Sequence, residues 1–162
     1  MLRPGNRILL LLMVMLFYVQ AGAAGAIDHS QLIHDAHADN REAQYTLAHL
    51  LLKGRGGMAV DVGSAIAWLE KAAENGHPDA AFDLAVLYLE GESVEKNSNQ
   101  ALIWITTAAE QGHTEAQFYL GLAYQQSNPE NGVFWLKKAK NAGHAGAGKA
   151  LARLCEKEIL CR

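Results

Sequence analysis

The chain has 162 residues, with 14 Lys and Arg against 17 Asp and Glu, for a formal charge of −3. That length supports one domain with a modest core. A mildly acidic chain with no basic run is a poor match to a phosphate backbone, so nucleic acid is excluded as an expected partner.

Residues 1–26 are expected to be a secretory signal peptide. Arg3 and Arg7 give a basic start, Ile8 to Val19 is an apolar run, and Ala21-Gly-Ala-Ala-Gly-Ala26 offers small-residue cleavage sites. The run is short of the about 20 residues a membrane span needs. No span is therefore expected after cleavage. The small residues beyond Gln20 leave an uncleaved anchor as the alternative. No cysteine near the cleavage region marks a lipoprotein, and no Arg-Arg pair marks twin-arginine export. Loss of Arg3 and Arg7 with the leader takes the formal charge from −3 to −5. The expected compartment is the periplasm of a Gram-negative bacterium, with secretion as the alternative.

Residues 27–42 are expected to hold one half-repeat helix. Ser30 is its candidate N-cap, and Leu32, Ile33 and Ala36 supply its apolar face. The turn after it has Asp39 and Asn40 where later copies have Gly and His. Asn tolerates turn geometry, so this first turn is expected to form without Gly.

Residues 43–147 contain a stretch that occurs three times, at 68–80, 104–116 and 135–147. It follows the pattern W-(I/L)-x-x-A-x-x-x-G-H-x-x-A, and its tryptophans are 36 and then 31 residues apart. Such a period predicts stacked helical hairpins. Each copy is the end of one helix, a turn, and the start of the next. Gly76, Gly112 and Gly143 fall where a helix C-terminus favours positive φ. Pro78 falls at the start of the next helix, where a missing N–H is harmless.

The helices that follow share A-x-x-x-L-(A/G). Counted from the leading Ala, positions 0, +4 and +8 make one buried stripe: Ala43, Leu47, Leu51; Ala80, Leu84, Tyr88; Ala116, Leu120, Tyr124; and Ala147, Leu151, Cys155. Gly54 and Gly91 end the first two of these helices. The third hairpin is shorter and lacks that Gly turn, and Pro129 is expected to open the helix bearing Trp135. Residues 148–162 form a polar capping helix with two cysteines, Cys155 and Cys161. In an oxidising compartment they pair if the helix ends between them; otherwise they are two thiols on a frayed end.

These residues resemble the Sel-one-like repeat, a relative of the tetratricopeptide repeat. Ala116, Leu120, Gly121 and Tyr124 match the first half of its pattern. Ala65 with Trp68 and Ala101 with Trp104, followed by Ala72-Ala73…Gly76 and Ala108-Ala109…Gly112, match the second. The departures are the missing Gly turn in the third copy and Ala where Gly follows Leu47 and Leu84. The resemblance covers about residues 40 to 155 and implies an all-α fold, a right-handed α-solenoid of stacked helix-turn-helix repeats in a tetratricopeptide-like superhelix. It implies a non-catalytic protein–protein interaction scaffold or adaptor of the cell envelope. In tetratricopeptide-like hairpins the first helix of each pair lines the concave surface. Its stripe not used for packing here carries Tyr45 and His49, Phe82 and Val86, Phe118 and Leu122, and Lys149 and Arg153. An apolar, aromatic groove with cations at its C-terminal end suits a peptide or protein with apolar anchors and an acidic end. The alternative for Tyr45, Phe82 and Phe118 is packing between adjacent hairpins.

Catalytic and metal chemistry find little support in the sequence. Successive helices pack about 8–10 Å apart, so His77, His113 and His144, at equivalent places in successive repeats, are too distant to share an ion. They are expected to serve the turns. His29, His34 and His37 with Asp35 and Asp39 form a local ligand cluster without strong metal spacing. Gly54-Arg-Gly-Gly57 lacks the Gly-Lys-Ser/Thr ending of a phosphate loop. No G-x-S-x-G occurs. No cofactor, metal or enzymatic activity is therefore expected. The competing reading is an envelope enzyme or glycan-binding protein acting on peptidoglycan or β-lactams, as for cysteine-rich relatives that carry paired cysteines in every repeat. Trp104, in the central repeat, is expected to be a buried aromatic whose replacement by Ala costs about 3–5 kcal/mol.

Overall fold

The computed structural model describes residues 29–157. The predicted leader and Cys161 lie outside that range. The described residues form eight helices and no strand: α1 (His29–His37), α2 (Arg41–Lys53), α3 (Val62–Glu74), α4 (Pro78–Glu90), α5 (Ser98–Glu110), α6 (Thr114–Ser127), α7 (Pro129–Asn141) and α8 (Ala147–Lys157). Each packs mainly on its neighbours in sequence, as an α-solenoid requires.

The helix boundaries follow from local chemistry. Asn40, Asp61, Asn97 and Asn128 cap α2, α3, α5 and α7, each accepting a backbone N–H with its side chain. Pro78 and Pro129 stand in the first turns of α4 and α7. The residues before α4, α6 and α8, namely Gly76, Gly112 and Gly143, all take positive φ, from 81° to 97°. In the first turn Asp39 takes the same conformation at φ 59° and is the described non-glycine residue that does so. The first turn therefore forms without Gly, at some conformational cost to Asp39.

The main core runs through the middle of the stack. Leu69, Leu84, Leu120 and Leu136 are fully buried, each contributing about 2 kcal/mol through burial. Between them the alanines Ala72, Ala73, Ala80, Ala81, Ala108, Ala109 and Ala116 are equally inaccessible. Small side chains at these points let helices approach closely. The approach is tightest in the shortened third hairpin. A Cβ on Gly121 would stand 2.8 Å from Leu136 Cγ and 3.0 Å from Leu136 N. Opposite it, a Cβ on Gly132 would lie 3.2 Å from Gly121 O.

Three expectations need correction. Ser30 is not the N-cap of α1, because that helix already includes His29. The +8 positions Leu51, Tyr88, Tyr124 and Cys155 are all half-buried, and in α8 the buried positions are Ala147, Ala150 and Leu154, with Leu151 half-buried as well. This last helix has α7 as its main partner, and it turns Ala150 and Leu154 onto Val133 and Leu136. Trp104 is half-buried rather than buried, although it packs on the main core. The cost of deleting its ring falls accordingly below the figure for a fully enclosed aromatic.

Candidate functional site

The repeated Gly-His turns build one joint three times. The His113 ring stacks on Phe82 of the preceding hairpin, with centroids 4.2 Å apart and planes at 15°. Its Nδ1 accepts the Ala116 N–H at 3.1 Å, capping α6. Its Nε2 lies 3.3 Å from Asp79 Oδ1. His77 repeats this with Tyr45 at 4.2 Å, Glu42 at 3.2 Å and the Ala80 N–H at 3.3 Å. His144 repeats it with Phe118 at 4.0 Å, Glu115 at 3.2 Å and the Gly146 N–H at 3.2 Å. An Nδ1 that accepts a backbone N–H leaves the ring proton on Nε2, which faces the carboxylate. Each histidine therefore stacks on the hairpin before; His77 and His113 cap their own helices, and His77 and His144 bond the carboxylate of the preceding hairpin. Burial holds His113 below its ordinary pKa, against the opposing pull of Asp79, Asp83 and Glu115. Asn40 takes over the capping role where His is absent.

Side-chain amides complete the joints from the inside. The buried Gln44 donates to the Ala36 carbonyl at 3.0 Å and accepts from Asn75 Nδ2 at 2.9 Å. Gln117 donates to Ala109 O at 3.1 Å, and Gln111 to Ala73 O at 2.7 Å. These three carbonyls sit at equivalent helix ends, where those of Ala73 and Ala109 also accept the Gly76 and Gly112 N–H groups at 3.0 and 3.2 Å.

The sequence-predicted face divides along its length. Tyr45, Phe82 and Phe118 are half-buried, because one side of each ring is committed to a histidine. Tyr45 does more. Its hydroxyl donates to Asp83 Oδ2 at 3.1 Å, and His49 Nε2 lies 2.9 Å from the same oxygen. Burial, and then Asp83, raise the Tyr45 hydroxyl above its ordinary pKa. That makes it a poorer acid and nucleophile. Val86 and Leu122 are half-buried, and Lys149 and Arg153 are exposed.

Tyr119 was not singled out by sequence reasoning, yet it is 48% exposed. Its ring lies parallel to Phe82 at 6.3 Å and tilted to Phe118 at 5.7 Å, bridging two joints. The available signal was position: it stands one residue beyond the joint aromatic, with Thr46 and Asp83 in the equivalent places.

Open space lies at both ends of this face. A cleft of about 360 Å³ is lined by Tyr45, Thr46, His49, Leu50, Lys53 and Arg55. A cavity of about 640 Å³ between α6 and α8 is lined by Leu122, Gln125, Gln126, Ala150, Arg153, Leu154 and Glu156. Among the described residues no group of three His, Cys, Asp or Glu side chains could hold a metal ion. No described helix is long and apolar enough to cross a membrane.

Comparison with known proteins agrees with this architecture. No curated protein matches the sequence. A Sel1 repeat protein from Oxalobacter formigenes superposes with a TM-score of 0.70 at 30% identity, over 78% of this chain and 98% of that one. A protective antigen present in uropathogenic Escherichia coli strains, with an SLR fold, superposes with a TM-score of 0.62 at 25% identity. That match covers 81% of this chain and only 33% of the antigen. The Sel1 repeat model matches residues 41–77, 78–113 and 114–144, so each repeat ends on a joint histidine, and the chain belongs to the Sel1 repeat family.

Proposed function

We propose that this chain is a non-catalytic scaffold or adaptor of the bacterial cell envelope that holds a peptide or protein segment along the face of α2, α4, α6 and α8. Sel1 repeats generally serve protein–protein interaction. The observation that carries the reading is the exposed Tyr119 ring between two open clefts on one face. An exposed aromatic braced by two others is a low-entropy anchor for a partner. Export rests on the basic, apolar and small-residue order of residues 1–26. In that compartment Cys155 would pair with Cys161 and close the C-terminal end.

Site-specific photo-crosslinking in intact cells tests the reading. A benzophenone side chain at Tyr119 or Leu122 should give the same discrete adduct. The same group at Ile103, 54% exposed on α5, should give none. Adducts of equal yield at all three positions, or at none, would refute the face. Cell fractionation, intact-mass analysis and alkylation without reductant check the compartment, leader removal and the Cys155–Cys161 bond.

A further inference from the structure

The two ends of the face differ in charge, and the difference gives a bound segment a direction. At the α8 end, Arg153 shares its cavity wall with Glu156, and the rest of that wall is neutral. Lys149 is not part of it. At the α2 end, the smaller cleft carries Lys53 and Arg55, both exposed, with His49 beside them. Its lining contains no carboxylate. Asp83 touches the lining and is already engaged through Oδ2 by Tyr45 and His49, while Asp79 and Glu42 act on Tyr45 from farther off. Arg55 is held in place by its backbone. Its N–H bonds to Leu50 O at 3.1 Å, and its carbonyl accepts the Met58 N–H.

We infer that the α2 cleft receives the acidic end of a bound peptide, through Asp or Glu side chains against Lys53 and Arg55, with the peptide's apolar anchors running toward Tyr119. This rests on the scaffold reading and reverses the polarity expected from Lys149 and Arg153. The guanidinium of Arg55 can take a carboxylate through two parallel N–H bonds, and Lys53 adds a mobile point charge. The surrounding chain is acidic, at −3 overall. An acidic segment is thus repelled from most of the surface and attracted to this cleft. Both cations also sit at the C-terminus of α2, where they complement the helix dipole. That structural role predicts a stability loss on charge reversal, and the ligand role predicts a change in what is bound.

Selection from a randomised dodecapeptide library on the immobilised full chain separates the two. The wild type should enrich peptides with Asp or Glu clustered at one end beside apolar residues. The K53E/R55E double variant should lose that acidic enrichment, weakening binding of the selected peptides by about tenfold or more. The R153E variant should keep it. Melting curves confirm that each variant is folded. Enriched peptides without acidic residues, or equal losses in both variants, overturn the polarity alone. No enrichment of any peptide overturns the scaffold reading with it.

Discussion

Replacing His113 with Ala removes three contacts of the central joint at once. The cap to the Ala116 N–H, at 3.1 Å, contributes about 1 kcal/mol. The stack on Phe82, at 4.2 Å between centroids, contributes about 0.5–1.5 kcal/mol. The contact with Asp79, at 3.3 Å and with Asp79 open to solvent, adds little at pH 8, where burial keeps the ring neutral. The expected loss for His113→Ala is therefore about 1.5–2.5 kcal/mol, allowing for imperfect additivity between neighbouring contacts. His113→Asn should lose less, about 0.5–1.5 kcal/mol, because Asn keeps the cap and forfeits only the ring. Asn40 shows that Asn fits this position, accepting from both Glu42 N and Ala43 N at 3.1 Å. Urea unfolding at pH 8, followed by far-ultraviolet circular dichroism, measures both variants. A loss below about 0.5 kcal/mol for His113→Ala would refute the joint, since the cap alone exceeds that. An Asn variant as damaged as the Ala variant would refute the cap.

Three further outcomes follow from the same geometry. Burial lowers the His113 pKa, so the unfolded chain binds that proton more tightly than the folded one. Its contribution is complete above about pH 6.5 and is lost as pH falls from there to the folded value. Wild type should lose more stability between pH 7.5 and 5.5 than His113→Asn does; equal losses would exclude His113 as the source. Gly121→Ala should cost about 1–3 kcal/mol, because its Cβ would strike Leu136 Cγ and the Leu136 backbone N; an unchanged melting temperature would mean α6 and α7 separate easily. Asp39→Gly should add about 0.5–1 kcal/mol by relieving the positive φ of 59°, and a variant that melts lower would show that the Asp39 side chain stabilises this turn.

The hairpin order was legible because packing repeats along the chain. Ala, Leu, Trp and Gly recur at fixed offsets, and an offset is visible without a structure. Asn40 could be assigned to a turn by the same alignment, although its cap on Glu42 and Ala43 could not. The last helix escaped because it breaks the condition that makes repeats predictable. With α7 as its main partner, α8 turns Ala150 and Leu154 inward instead of Leu151 and Cys155. The amides of Gln44, Gln111 and Gln117 escaped for a different reason. They solve the same problem from different sequence positions: Gln44 and Gln117 follow the leading Ala, whereas Gln111 precedes the turn Gly and reaches Ala73 O from the next repeat.

The histidine joints were half legible, and the missing half bears on function. Gly-His recurs in the sequence, but what it meets is one repeat away. The acid before the leading Ala (Glu42, Asp79, Glu115) and the aromatic two residues after it (Tyr45, Phe82, Phe118) recur just as faithfully. Only the fold shows that both side chains converge on the histidine ring. A partner face built on those aromatics would therefore share its residues with the stacking of the solenoid. Replacing Phe82 or Phe118 with Ser damages the joint and the face together, so loss of binding in such a variant says nothing about either. Tyr119 separates the two. It touches both aromatics, contacts no joint histidine in a ring stack, and keeps nearly half its surface in solvent. Stability belongs to the positions the repeats share; on the proposed reading, partner choice belongs to positions where they differ, such as the one that carries Thr46, Asp83 and Tyr119 in turn.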